Sequence, residues 1–472
     1  MVSESDERAR PEKFDPNVQD PYADGVSRRR LLRSSAAVGT VGAATGCLSD
    51  PSSGESETPG SETPSTDTTR SETTTRRTTN GETTNGSADG ETATDEPMDG
   101  RPTVYVFNTG ERTMSVIDST TDERLATTMI GTTASFPSNQ YTPTLVSAPS
   151  DALWLNVAGG VRAIDATPLE TVAYVETGSD ANWLERTPSG ERLIVSAREP
   201  AHTQFRVVAD PETEAFGEVT GRIDRTENYA GARGGPGPCD VTIGPDGAYA
   251  FVPDLYGNTL TVLDIEAFEV VARREVDPVL DGVESANPYM GTASWNGEYL
   301  VVENDEEAYG TESIWDVSDP TRPEERVRLT ETDGLGRSPL TNEIGPGSRF
   351  SYVFTPGTED LTVLDLDAGE VTTRIDLSGQ AFTGTWNRSR RKLYVPVQTA
   401  NVVRVIDHES RTVTGTIPVG SKPYGATAGA VRPAPTRTRN AMAALASVGL
   451  AGGGEPTYYI GNCHCGTHDR SP

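Results

Sequence analysis

Residues 244–264 read Gly244-Pro245-Asp246-Gly247-Ala248-Tyr249-Ala250-Phe251-Val252-Pro253-Asp254-Leu255-Tyr256-Gly257-Asn258-Thr259-Leu260-Thr261-Val262-Leu263-Asp264. Gly-Pro-Asp-Gly is a tight-turn sequence whose glycines supply positive φ, and an apolar strand follows it at residues 249–253. After a polar turn, residues 260–264 alternate with a period of two and stop at an aspartate. The same order of parts recurs along the chain. Residues 104–108, 114–118 and 125–130 form a first copy, and the pairs 352–355 with 361–365 and 393–397 with 402–407 form later ones. Weaker copies fill the gaps.

The strand-ending aspartates are Asp118, Asp165, Asp210, Asp264, Asp316, Asp365 and Asp407, spaced 47, 45, 54, 52, 49 and 42 residues apart. A period of about 40 to 50 residues with four short strands per unit is the signature of propeller blades. The expectation is an all-β, seven-bladed β-propeller of four-stranded blades. The first unit starts at its second strand, while residues 424–428 supply an inner strand with no outer strands behind it. These two pieces complete one blade and leave no raw sheet edge. An open solenoid or a two-sheet sandwich is the architectural rival.

Turn sequences such as Thr187-Pro188-Ser189-Gly190 and Trp295-Asn296-Gly297 precede further apolar strands. With Tyr105-Val106-Phe107-Asn108 and Gly420-Ser421-Lys422-Pro423-Tyr424-Gly425, the chain resembles the YVTN-repeat β-propeller family, of the surface-layer type. The resemblance spans residues 101–431 and implies the fold; on function it is nearly silent.

Ahead of the ring, Ser27-Arg28-Arg29-Arg30-Leu31-Leu32-Arg33 resembles a twin-arginine export motif, and Ala44-Thr45-Gly46-Cys47 looks like a lipobox. The small-residue stretch between them is too short to span about 30 Å of hydrocarbon. The resemblance implies that residues 1–46 are a signal peptide and that Cys47 carries a lipid, with Ser27, Arg28, Arg29, Leu31 and Leu32 read by the exporter. The protein is then expected at the cell surface, extracellular and anchored to the outer face of the cytoplasmic membrane. Residues 47–100 are almost wholly Ser, Thr, Glu, Asp, Gly and Pro and have too little to bury to offset ordering entropy, so a disordered stalk is expected. Asn85-Gly86-Ser87 and Asn387-Arg388-Ser389 match the N-glycosylation acceptor pattern, which marks Asn85 and Asn387.

The 472 residues carry a formal charge of −30, and lysine is confined to Lys13, Lys392 and Lys422. Such an acidic, lysine-poor balance suits molar salt, where screening removes self-repulsion, and points to an extreme halophile, an archaeon; an ordinary acidic surface protein is the alternative. A polyanion would be repelled, so nucleic acid is not an expected partner.

Histidine is limited to His202, His408, His464 and His468, and no hydrolase elbow, zinc-protease pair, phosphate loop or haem motif occurs. His202 and His408 read as surface polar residues. Aligning the inner strands by their preceding prolines puts Tyr424, Thr144, Trp183, Cys239, Tyr289, Leu340 and Phe382 at one level. Four of these seven are aromatic in a chain that is 6% aromatic. They either line a pocket for a surface protein, glycan or peptide, with Asp240 and Glu343 as nearby polar groups, or wedge adjacent blades together. The acidic run Glu303-Asn304-Asp305-Glu306-Glu307, and Asp277 with Asp281, are Ca²⁺ candidates or simply solvated surface.

Residues 432–472 read as an appendage ending in Cys463-His464-Cys465 and His468. Two thiolates and an imidazole suit copper or zinc. A disulfide from Cys239 to a tail cysteine, or free thiols, are the competing fates. Two functions stand side by side: a lipid-anchored binding or scaffold module, and an exported metal-binding redox protein or enzyme using the tail.

Overall fold

The computed structural model describes residues 100–132, 137, 140–226, 233–306 and 309–450. They form the seven-bladed propeller, each blade an antiparallel sheet whose strands run from the central channel outward. The first blade is ordered Pro423–Gly429, Thr103–Asn108, Thr113–Asp118, Glu123–Met129. Its innermost strand comes from the far end of the domain and pairs Val104 with Ala428 and Tyr105 with Thr427, so the ring closes as the repeat phase requires. The second blade departs from the pattern. Ala152–Val157, Gly160–Asp165 and Thr171–Glu176 make three strands, and among the described residues the inner position is held by a bridge from Pro137 to Leu155.

Blades three to seven begin at Ala181–Arg186, Thr242–Ile243, Pro288–Ala293, Thr341–Ile344 and Thr385–Trp386. Each blade's middle strands are covered on both faces by neighbouring blades, so they are apolar almost throughout; Tyr299–Asn304 is buried at every position. Outer strands have one wet face, and Glu269–Glu275 alternates exposed and half-buried along its length. The core of the described residues is accordingly divided into seven clusters, six between neighbouring blades and a seventh that joins the interface of the third and fourth blades to the centre of the ring. Trp154 of the second blade packs with Leu184 and Phe205 of the third, and Tyr394 of the seventh packs with Val104 and Ala426 of the first.

All seven aspartates that set the repeat do the same local work. Each Oδ1 accepts a backbone N–H two or three residues on: Thr120 to Asp118 at 2.9 Å, Thr167 to Asp165 at 2.7 Å, Glu212 to Asp210 at 2.9 Å and Ala267 to Asp264 at 2.8 Å. Ser318 to Asp316 at 3.0 Å, Asp367 to Asp365 at 3.1 Å and Ser410 to Asp407 at 2.8 Å complete the set. An aspartate bonded to the backbone ahead of it closes the turn to the next strand, which explains why the residue repeats.

The turn at residues 244–247 closes as its sequence implies, with the Gly247 N–H donating to the Gly244 carbonyl at 2.9 Å and Gly247 at φ +72°. Beyond the ring, a helix at Arg437–Ser447 is capped by Thr436 and lies against the outer strand of the first blade, where Arg439 donates to the Met129 carbonyl at 3.0 Å. Among the described residues no helix is long and apolar enough to cross a membrane.

Candidate binding recess in the central channel

Six of the seven side chains aligned by sequence, Trp183, Cys239, Tyr289, Leu340, Phe382 and Tyr424, meet in one buried cluster around the start of the channel. Thr144 does not join them. It sits exposed on a one-turn helix, Thr142–Leu145, and Tyr141 takes its place in the cluster. Among the described residues the second blade shows no inner strand at Thr144, so the alignment by preceding prolines does not hold for that blade.

Phe382 and Tyr424 stack with centroids 4.9 Å apart, and Tyr289 donates its hydroxyl to the Pro339 carbonyl of the next blade. The Cys239 Sγ accepts from Asn182 Nδ2 at 2.9 Å. These side chains mainly wedge blades together: Tyr289 and Tyr424 are 1% exposed, and of the six only Trp183, at 9%, lines open space.

That open space is a recess along the channel axis, about 380 Å³ including its opening, into which Glu185, Asp240 and Glu343 project from three different blades. Gln140 and Met290 complete its walls, and no arginine, lysine or histidine lines it. Asp240 is held from two sides: Val241 N–H donates to Oδ1 at 2.6 Å and Gly291 N–H, on the next blade, to Oδ2 at 2.7 Å. Glycine is needed at 291 because a Cβ there would lie 2.9 Å from the Val301 carbonyl oxygen of the adjoining strand. Burial nevertheless outweighs both donors and pushes the Asp240 carboxyl up to about 8.

Glu185 accepts the Ile243 N–H at 3.1 Å; burial first, then the charges of Asp240 and Glu343, lift it well above the usual carboxylate range. Glu343 has no hydrogen-bond partner for its carboxyl, although it is only 7% exposed, and burial alone pushes it up to about 8. Behind this layer, Glu303 and Glu312 face each other across neighbouring strands. Glu303 accepts from Asn342 Nδ2 at 2.9 Å and is pushed up to about 8 by burial, while Glu312 is raised by burial and then by Glu303.

One wall of the recess comes from the second blade's inner segment. Gln140 reaches across the channel to donate to the Ala293 carbonyl of the fifth blade at 2.8 Å, and its Oε1 accepts from Thr242 of the fourth at 3.4 Å. Tyr141 donates to the Ile243 carbonyl at 2.8 Å and meets Trp295 edge-on at 5.7 Å. Gln140 and Tyr141 thus form a plug that ties the second blade to the fourth and fifth.

Several sequence expectations need correction. The run beginning at Glu303 is not a solvated loop: Glu303 and Asn304 end a buried strand, and Glu306, fully buried, accepts from the Val279 and Leu280 N–H groups and from Thr311 and pairs with Arg328. Asp277 and Asp281 are exposed, and among the described residues no three carboxyl, imidazole or thiol groups come together as a metal-ligand set. His202 is buried rather than superficial, accepting the Gly237 N–H at Nδ1. His408 is half-buried among Phe350, Tyr352 and Trp386.

Asn387 is 6% exposed and its Oδ1 accepts the Arg391 and Lys392 N–H groups, so a glycan on it would require that turn to open. The export motif, Cys47, Asn85, and Cys463, His464, Cys465 and His468 lie outside the described residues.

Sequence reading missed Glu185, Gln140 and the Glu303–Glu312 pair. A signal for Glu185 was present in Trp183-Leu184-Glu185-Arg186, an inner strand buried at every position. A carboxyl there must face the channel or a partner.

No family model matches the chain, and no curated protein matches it in sequence. Among solved structures, a Lactobacillus plantarum protein is 12% identical with a TM-score of 0.55, covering 70% of this chain and 99% of that one. The periplasmic gluconolactonase PpgL of Pseudomonas aeruginosa is 16% identical with a TM-score of 0.53 over the same shares. A functionally unknown Desulfotomaculum acetoxidans protein is 13% identical with a TM-score of 0.52, again covering 70% and 99%. At such identities the likeness is one of fold.

Proposed function

We propose that this propeller is the head of an exported, lipid-anchored binding protein at the cell surface, and that its ligand is held in the channel recess. The observation that carries the reading is Glu343: a carboxyl without a partner, nine-tenths buried, facing open space in a channel that could have been filled with apolar side chains. The Glu343 oxygens reach the recess, unlike those of Glu312, which are sealed without a partner, so Glu343 is the unpaired carboxyl that an entering ligand can meet.

The test joins the two halves of the reading. A thermal-shift screen of amines, sugars and peptides should find stabilisers of the wild-type head that no longer act on Glu343→Gln. Cys47→Ser should shed the protein into the medium or leave it unprocessed. If no ligand distinguishes wild type from Glu343→Gln, the recess is only a packing defect; if the mature protein keeps an unmodified Cys47, the anchor is wrong.

A catalytic alternative has one observation in its favour. Carboxyls that keep their protons near neutral pH can act as general acids, and one solved structure of this fold is described as a gluconolactonase. Hydrolysis of gluconolactone by wild type, lost in Glu343→Gln, would move the chain to that class.

A further inference from the structure

The chemistry of the recess narrows its ligand, given the reading that the recess is a binding site. Its lining carries three carboxyls and no cation, so an anionic group entering it would meet repulsion that buried surroundings do not screen. The lining carboxyls are not, however, gathered as a metal-ligand set. Two are already engaged: Asp240 by the N–H groups of Val241 and Gly291, and Glu185 by that of Ile243. Only Glu343 is left to meet a ligand directly, with the hydroxyls of Thr341 and Thr383 beside it in the wall. The recess proper has room for about one water-sized body, the rest of its volume being open to solvent. Trp183 and Met290 supply an apolar stretch of wall.

We infer that the recess receives the primary ammonium group of an organic ligand, with Glu343 as its ion-pair partner and an alkyl stem lying against Trp183 and Met290. An ammonium group is close to water in size and donates three hydrogen bonds, which a guanidinium or quaternary ammonium group cannot do in that space. Asp240 and Glu185 stay on their backbone donors and contribute field. Around Glu343, on the sixth blade, the other ionisable groups are Glu185 and Asp240 across the recess on the third and fourth blades, then Glu303, Glu312 and Arg328 in the fifth blade, the first of these reached through Asn342.

Empty, Glu343 holds its proton up to about pH 8. An entering ammonium group favours the carboxylate, so the proton leaves to solvent as the ligand binds. Below pH 8 affinity should therefore rise with pH, by close to tenfold per unit for one proton released.

The test is titration calorimetry on the full chain with n-butylammonium chloride at pH 6, 7 and 8, in two buffers of different ionisation enthalpy. Tetramethylammonium chloride, potassium chloride, sodium butyrate and gluconolactone serve as comparison probes at equal ionic strength. Butylammonium should bind with release of up to one proton and a tenfold gain per pH unit, and Glu343→Gln should lose both. Glu343→Asp, which retracts the charge without removing it, should bind at least tenfold more weakly and keep the pH dependence, which separates a lost partner from a disturbed fold. An equal response to potassium chloride would mean an adventitious ion only and overturn the assignment. Glu343-dependent binding of butyrate or gluconolactone in place of butylammonium overturns it too while leaving the recess a binding site, and failure of every probe removes both claims.

Discussion

An unfolded glutamate loses its proton near 4.5, whereas Glu343 and Glu303 keep theirs to about 8 in the fold, and Asp240 behaves alike from an ordinary value of 3.8. Between those limits the folded chain binds more protons than the unfolded one. Stability is therefore complete below about pH 4 and falls as pH rises through 8, at about 1.4 kcal/mol per unit for each retained proton. Melting at pH 5, 7 and 9 should show the decline, and a head that melts highest at pH 9 contradicts the burial of these groups. Glu343→Gln should stabilise the protein at pH 9 by about 1–3 kcal/mol and change it by less than about 1 at pH 5, because only the charged form is penalised. Chemical denaturation at the two pH values measures this. At this scale the sequence was partly legible. Asp240 and Glu343 could be picked out because they lie close after Cys239 and Leu340, the positions that the preceding prolines align. Glu303 could not: in the string it adjoins Asp305 and Glu306, and only the strand register turns it inward.

The element whose role the sequence predicts best is the last strand, because its lack of outer partners is visible in the repeat phase. Truncation after Gly420 removes Pro423–Gly429 and strips Thr103–Asn108 of a neighbour with which it pairs at six positions. The head should then unfold as a whole, which circular dichroism and protease resistance would reveal; a protected ring lacking one strand contradicts this closure. The plug was hidden from sequence for a physical reason. Residues 137–145 carry Pro137, Gln140, Tyr141 and Pro143, which as a string resemble any blade-to-blade connection, and only the partners Ala293 and Ile243 on blades across the ring show that they enter the channel. Gln140→Ala removes the buried donor to the Ala293 carbonyl and should cost about 1–3 kcal/mol, read from denaturation midpoints. Tyr141→Phe should cost about 1 kcal/mol, since it removes one hydroxyl and keeps the ring that meets Trp295.

For the whole molecule, the charge of −30 with so few lysines makes electrostatic self-repulsion a property of the entire surface. The melting temperature should drop on dialysis from molar to millimolar salt, and an unchanged value would count against adaptation to brine. Architecture adds a mechanical consequence. The chain enters the ring at Arg101, whose N–H donates to the Ala430 carbonyl at 2.8 Å, and passes directly into a strand flanked on both sides by antiparallel neighbours, one from each end of the domain. A pull applied at residue 101 along that strand loads both ladders in shear, so their hydrogen bonds resist together instead of opening one at a time like a zip. Under the anchoring proposed above, tension arriving at residue 101 would fall on the blade built from both ends of the domain, the one whose two ladders are loaded in shear.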